Sequence, residues 1–373
     1  MKILISAHVV WWNASAYYAV TAAQALQRRG HDVTLLAHHF TPGYRQAKNR
    51  GLNVIGNINL LSKNPVSFVE NMVSLADKIG VQDFDVFNPH RPEDHLFLAL
   101  MKKRLSRAPV LIRTISDVRY PKGNVINRLL HERWTDAVIY CAECCFRRYI
   151  SRFALAHLPQ RVIYSALDVK SFSAGDWQGG NRFFELDAPR IVIVARLSPN
   201  KGHHTLIEAA SRVLREIGAA SFIVVGKEEE VKIADLQGQV RRLGMEEFFT
   251  FTGMLDDPRP AIAAADIGVV SSTDSEVISR ATQEFFAFGV PVVASRVNVL
   301  PEMVEDGVNG ILFEPGDAAG LAEGILRLAG SERLHQACSR RAYQRALEVH
   351  DLDVLGEQTE EFFLQVLHDR RAI

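Results

Sequence analysis

At 373 residues the chain is long enough for two or three domains. Its 43 Lys and Arg are matched by 43 Asp and Glu, so no basic surplus exists to neutralise a phosphate backbone, and nucleic acid is excluded as the main partner. Hydrophobic residues at 47% and charged ones at 23% are the ordinary globular balance, which permits a sizeable core and argues against disorder. No run approaches 18 uninterrupted apolar residues, so no transmembrane helix is expected. The opening MKILISAHVV is too short an apolar run, and lacks the cleavage site, for a signal peptide; it reads as a buried first strand. Cys141, Cys144 and Cys145 crowd together, with Cys338 far away, which is no disulfide framework and fits a reducing cytoplasm.

In chain order, 2–8 reads as a buried strand, 15–29 as a helix stopped by Gly30, and 31–38 as a second strand. Strands at 83–90, 108–117, 135–142 and 160–168 continue the series. The stretch 173–189 is rich in glycine and polar residues without periodicity, as an interdomain linker would be. Alternation then restarts with a strand at 190–197, a helix at 203–217, a strand at 220–227 and a helix over about 228–244. Strands at 248–254 and 265–272, a helix over about 278–289, strands at 290–296 and 310–315, and a terminal amphipathic helix at 352–368 complete it. Such alternation implies parallel strands joined by crossover helices: an α/β fold of two Rossmann-like, doubly wound domains facing across a cleft. The first domain takes 1–172, joined by the terminal segment 352–373, and the second takes 190–351. Ligands in such sheets sit at the carboxyl ends of the strands.

The densest chemistry is RIVIVARLSPNKG, 190–202. A buried strand delivers Arg196 and Lys201 into the loop at its carboxyl end, where a guanidinium fork and an ammonium point charge suit a diphosphate. Alone, two such cations are equally a solvated loop. Downstream, Glu276 precedes a helix and Glu284 lies within it, eight positions on. The amides of Val277, Ile278 and Ser279 at that helix start form an anion site, and the two carboxylates suit sugar or ribose hydroxyls. Separately, two glutamates at this spacing are ordinary surface residues.

In the first half, three strand ends carry polar or aromatic groups. Trp11 and Trp12 can stack on a sugar ring or pack as core, and Asn13 or Ser15 can cap the helix that follows. His90 and Arg91 end a strand and can touch a ligand. Asp117, between Arg113 and Arg119, can orient or deprotonate a ligand hydroxyl, or simply pair with a neighbouring arginine. Arg119 can pair with an anionic substituent. The D-x-D patterns at Asp83–Asp85 and Asp351–Asp353 and the C-x2-C at Cys141–Cys144 lack a second ligand set, so no metal site is assigned. Lys102, Lys103, Arg104 and Arg107, with Arg147, Arg148 and Arg152, make two basic clusters that are either solvated or a peripheral contact with an anionic membrane.

Taken together, ARLSPNKG, VVG at 224–226, FTG at 251–253, the E-x7-E spacing, GVPVVAS and PEMVEDGVNGILFEPGD resemble the retaining glycosyltransferases of family 4, whose fold is GT-B. The resemblance covers nearly the whole chain and is most specific over 190–317; in the first half it rests on MKIL, GHDVTLL and VIYSALDVKSF. It implies that Arg196 and Lys201 hold the diphosphate of a nucleotide-sugar donor, that Glu284 takes ribose hydroxyls and that Glu276 lies by the donor sugar. It places Thr252 to Met254 beside the base, gives Asp168 a structural place in the hinge, and implies retention of configuration with no cofactor or metal. The sequence departs from the family pattern where Val277-Ile278-Ser279 replaces the usual G-F-G, where Trp11 to Ala16 replaces a glycine pair, and where Ser116-Asp117 replaces a histidine. The implied acceptor is a glycan or lipid-linked sugar, such as a bacterial lipopolysaccharide or other surface-polysaccharide intermediate, handled in the cytoplasm or at the inner face of the membrane. A sugar-nucleotide 2-epimerase of the same fold and a non-catalytic sugar-nucleotide-binding protein remain alternatives.

Overall fold

The strands of the first sheet are short and apolar: β1 (Lys2–Ser6), β2 (Asp32–Leu36), β3 (Asn53–Ile55), β4 (Val86–Pro89), β5 (Val110–Ile115), β6 (Ala137–Tyr140) and β7 (Gln160–Val162). The second sheet is built from β8 (Arg190–Val194), β9 (Ser221–Val225), β10 (Phe249–Gly253), β11 (Ile267–Val270), β12 (Val292–Ser295) and β13 (Gly310–Phe313). This is a computed structural model that describes residues 1–60, 64–79, 83–175, 177, 183 and 188–371. All strand pairings within the two sheets are parallel, in the orders β3-β2-β1-β4-β5-β6-β7 and β10-β9-β8-β11-β12-β13. These are two Rossmann-like sheets. Runs such as Ile191-Val192-Ile193 are buried on both faces because helices cover both sides, which is what a parallel sheet demands.

The helices stop and start where local chemistry dictates. Asn13 caps Ala14–Arg28 by accepting from the Ala16 N–H at 3.1 Å, and Gly30 at φ 84° ends the turn that follows it. Asp317 caps Ala318–Ala329, which packs with His203–Ile217 on the second sheet. Leu206, Phe222, Val293 and Ile325 lie in one core, and Leu4, Phe87, Phe97 and Leu111 lie in another.

Each sheet reverses its strand order once, between β1 and β4 and between β8 and β11. At each reversal the connections from the two adjacent strands run to opposite faces of their sheet, opening a crevice at the strands' carboxyl ends. Ser198–Lys201 and Ser271–Ser275 therefore meet at one crevice, and His8–Ser15 and His90–Arg91 at the other.

The chain forms two compact units, residues 1–166 with 352–373, and residues 167–351. Residues 167–172, expected in the first domain, group with the second. There the Leu167 N–H donates to the His350 carbonyl at 2.9 Å, and the Val169 N–H donates to the Asp351 carboxylate at 3.1 Å. Much of the linker expected over 173–189 lies outside the described residues. The helix expected over about 278–289 runs from Arg280 to Ala287, and that over about 228–244 runs from Ile233 to Arg242. The three-residue strand β3 was not foreseen, being too short to show periodicity.

Candidate functional site

In the second unit the loop after β8 is locked to the end of β11. Gly202 adopts φ 70°, and a Cβ there would lie 1.9 Å from the Ser271 carbonyl oxygen, so only glycine permits this approach. The Ser271 hydroxyl donates to the carbonyls of Lys201 at 3.0 Å and Gly202 at 3.1 Å, and the Thr273 N–H donates to the Asn200 carbonyl at 2.9 Å. The result carries Lys201 Nζ onto Glu276 Oε1 in a largely buried ion pair. Ser272 Oγ donates to the same carboxylate oxygen at 2.7 Å, and Ser295 Oγ at the end of β12 fixes the Ser272 carbonyl at 2.5 Å.

Glu276 sits in a bend framed by two residues of positive φ, Ser275 at 41° and Ser279 at 32°. That strain is costly for non-glycine residues and marks a segment held by its surroundings. Val277 and Ile278 are buried, so the bend turns their side chains inward. The left-handed Ser279 explains why the helix begins only at Arg280 and not among Val277–Ser279. Glu284, buried on that helix, accepts from Arg280 Nη2 at 2.6 Å. Arg196, at the edge of the loop after β8, donates to Glu229 Oε2 at 2.5 Å. At the end of β10, the Thr252 hydroxyl is spent on the Gly253 carbonyl at 2.9 Å, while Met254 is exposed. The two candidate carboxylates of this unit are thus each held by a cation, Glu276 by Lys201 and Glu284 by Arg280, and the candidate Arg196 is held by Glu229.

His203 follows Gly202 and is buried. Burial, reinforced by His204 and Lys201, lowers its pKa to about 4, so it stays neutral beside the cationic loop.

In the first unit, Ser15 ties three strand ends together. Its hydroxyl donates to the His90 carbonyl at 3.1 Å and receives the Ser116 hydroxyl at 2.8 Å. Trp11 is 75% exposed, whereas Trp12 packs edge-on against Tyr17 with ring centroids 5.9 Å apart. His90 does not present its ring on this rim: it is buried, with Nε2 on Asn88 Oδ1 at 2.9 Å, and burial lowers its pKa to about 3. Arg91 bonds the His8 carbonyl at 2.5 Å and pairs with Glu93 at 3.2 Å. Asp117 takes the paired alternative, accepting from Arg119 Nε at 2.8 Å and Nη2 at 2.5 Å, with the Arg119 side chain 86% exposed. The Arg119 guanidinium holds the Asp117 carboxyl below its usual value against the opposing effect of burial.

Beneath this rim lies a buried polar group that the sequence did not announce. Asp94 accepts the His8 N–H at 3.0 Å and faces His8 Nδ1 at 3.5 Å, while His8 Nε2 meets the Ile58 carbonyl at 2.9 Å. Burial works to raise the Asp94 pKa, but His8 outweighs it and the carboxyl lies below its ordinary value. Arg113 Nη1 donates to the carbonyls of Pro89 at 2.8 Å and Thr114 at 2.7 Å. These contacts join residues up to 86 apart in sequence, so no spacing could reveal them.

Much of the charge in the two basic clusters is already engaged. Lys102 pairs with Asp136, Arg107 with Asp85 at 2.9 Å, Lys103 lies 3.5 Å from the Trp134 ring centroid, and Arg148 donates to the Val118 carbonyl. Asp85 also accepts the Lys2 N–H at 2.8 Å, and Asp351 accepts that of Val169 at 3.1 Å, so both D-x-D patterns contribute structural acceptors. Cys141 and Cys145 bring their sulfurs within 3.8 Å, and none of the cysteines is in a disulfide. Among the described residues no helix is long and apolar enough to cross a membrane.

Two family models match the chain: Glycosyltransferase Family 4 over residues 15–171 and Glycosyl transferases group 1 over residues 188–331. The lipopolysaccharide core biosynthesis glycosyltransferase LpsE of Rhizobium meliloti is 32% identical over 158 residues, which is 42% of this chain and 44% of that protein. An uncharacterised glycosyltransferase of Methanocaldococcus jannaschii is 23% identical over 90% of both chains. The chain spans about half or less of the length of the curated relatives it matches first. Among solved structures, Anabaena HepE in complex with UDP superposes with a TM-score of 0.84 at 20% identity, covering 98% of this chain and 100% of HepE.

Proposed function

We propose, for a chain that belongs to the family 4 glycosyltransferases, that it moves a sugar from a nucleotide-diphosphate sugar to a glycan or lipid-linked acceptor with retention of configuration. The observation that carries the donor half of this reading is the crevice between β8 and β11. There Lys201 and Glu276 meet, with Arg196 on the same loop as Lys201. Arg196 and Lys201 take the diphosphate and neutralise the charge that builds on it as the glycosidic bond breaks, helped by the helix start at Arg280. Glu276, relieved of its lysine, accepts a hydroxyl of the donor sugar, and Glu284 accepts from the ribose. The acceptor binds the first unit's rim, where Trp11 offers a face for stacking and Arg119 a cation for an anionic substituent. Asp117, already paired with Arg119, accepts a hydrogen bond from an acceptor hydroxyl and so orients it. Retention is proposed on the resemblance of the motifs to the family's retaining members, with no residue pair behind it.

The relative named for lipopolysaccharide core biosynthesis points the acceptor towards bacterial surface polysaccharide. HepE carries UDP, which puts uridine first in the panel to test. Calorimetry with UDP, GDP and ADP sugars should reveal binding of one class, and a folded protein that binds none refutes the donor reading. Donor incubated alone should yield slow hydrolysis and no epimer; an epimer would reassign the enzyme. With acceptor present, transfer should persist in EDTA, since the cations that stabilise the leaving group are side chains.

A further inference from the structure

The loops after β8 and β9 are zipped together by main chain. The Leu197 N–H donates to the Lys227 carbonyl at 2.8 Å, and the N–H groups of Glu229 and Val231 return to the Leu197 carbonyl at 3.2 and 3.1 Å. A parallel bridge between Leu197 and Glu228 completes the join. Glu228 is committed elsewhere, accepting the Ile233 N–H at 2.7 Å at the start of the helix Ile233–Arg242. Glu229 is then left beside Arg196, one residue from the anchored Leu197, with its carboxylate 2.5 Å from Nη1. The backbone, rather than two flexible side chains finding each other, sets this pair.

From this geometry we infer that Glu229 is an internal competitor for the donor's diphosphate, a residue that sets which anions the site admits. The inference rests on the donor reading above. An entering diphosphate must take Arg196 from Glu229, and the affinity seen is reduced by the fraction of time the arginine is held. A ligand with two linked phosphates offers the guanidinium a bidentate partner and reaches Lys201 as well, so it can displace Glu229 and Glu276 together. A lone phosphate gains less. Glu229 therefore lowers the affinity of every anion that must take Arg196, and the weakest binder, a lone phosphate, is the first to fall below occupancy. Arg196 is 60% exposed and Glu229 29% at the side chain, so the exchange needs no burial or unburial of charge.

The test is calorimetry with inorganic phosphate, inorganic pyrophosphate and UDP on the wild type, Glu229→Gln, Arg196→Ala and the double variant. Glutamine keeps the shape and removes the charge. Glu229→Gln should tighten pyrophosphate and UDP by about fivefold, the size expected of an exposed ion pair, and should admit inorganic phosphate. The double variant should lose that gain. Glu229→Ser, with circular dichroism matching the wild type, should behave as the glutamine variant does. Unchanged or weaker anion binding in both variants overturns the inference, because Glu229 would then be a bystander or a support for Arg196. Failure of the wild type to bind any sugar nucleotide instead strikes the donor reading, whatever Glu229 does to pyrophosphate.

Discussion

Gly202 and Lys201 show how much one residue can fix. A methyl group at 202 would meet the Ser271 carbonyl oxygen at 1.9 Å and hold an L-residue at φ 70°. Gly202→Ala should therefore cost about 2–4 kcal/mol and depress donor binding with it. A thermal midpoint within a degree of the wild type would contradict this. Lys201→Ala removes the ammonium from the leaving diphosphate and leaves Glu276 with Ser272 alone. Turnover should fall about 10²–10³-fold, the scale of losing one charge-stabilising donor, and near-normal turnover would refute the mechanism. Arg196, Lys201, Glu276 and Glu284 could be named as candidates because they lie in short motifs, and the structure brings Lys201 and Glu276 together while pairing Arg196 and Glu284 with other residues. Glu229, Ser272, Ser295, Asp94 and His8 were not, because contacts across the fold, not spacing, give them their roles.

At the scale of elements, the strand–helix alternation was readable because buried parallel strands are continuous apolar runs and their crossover helices are amphipathic. Element limits were less so. The helix after Glu276 starts late because Ser279 is left-handed, a conformation that no propensity assigns to serine. Histidines also distinguish the elements of the first sheet. His90, after β4, and His131, between β5 and β6, are held neutral by burial, each with a pKa lowered to about 3. His95 on the helix Pro92–Lys102 is pushed well below its ordinary value by burial and by His131. An unfolded histidine titrates near 6.5, so between about 6.5 and 3 the unfolded chain binds more protons than the folded one. Stability is whole above that window and is lost as pH falls through it, at up to about 1.4 kcal/mol per pH unit for each histidine. Hydrogen exchange at pH 7 and pH 4.5 should show β4 to β6 losing more protection than β8 to β13, where His203 stands alone with a pKa of about 4. Equal loss in both sheets would contradict this.

At the scale of the whole molecule, two alternating halves predicted two doubly wound sheets, and both are present with the same order around their reversal points. Residues 167–172 group with the second unit, through bonds to His350 and Asp351 nearly two hundred residues away that no local pattern carries. Those bonds lead to the helix Leu352–Arg371, which packs on Ala14–Arg28 and belongs to the first unit. There Glu360 takes Arg29 and also His31 at 2.8 Å, while Phe362, Phe363 and Val366 are buried. The second unit is thus an insertion in the first, and this has a consequence for the order in which a growing chain folds. Synthesis runs from N- to C-terminus, and domains fold as units once their residues have emerged. The inserted unit can close as soon as Asp351 is available, while the surrounding unit must wait, with its flank at Ala25 and Arg29 uncovered, for residues made after it. A chain ending at Asp351 should keep exchange protection in β8 to β13 and lose it in β1 and β2; equal protection in both would show that the nascent first unit does not wait.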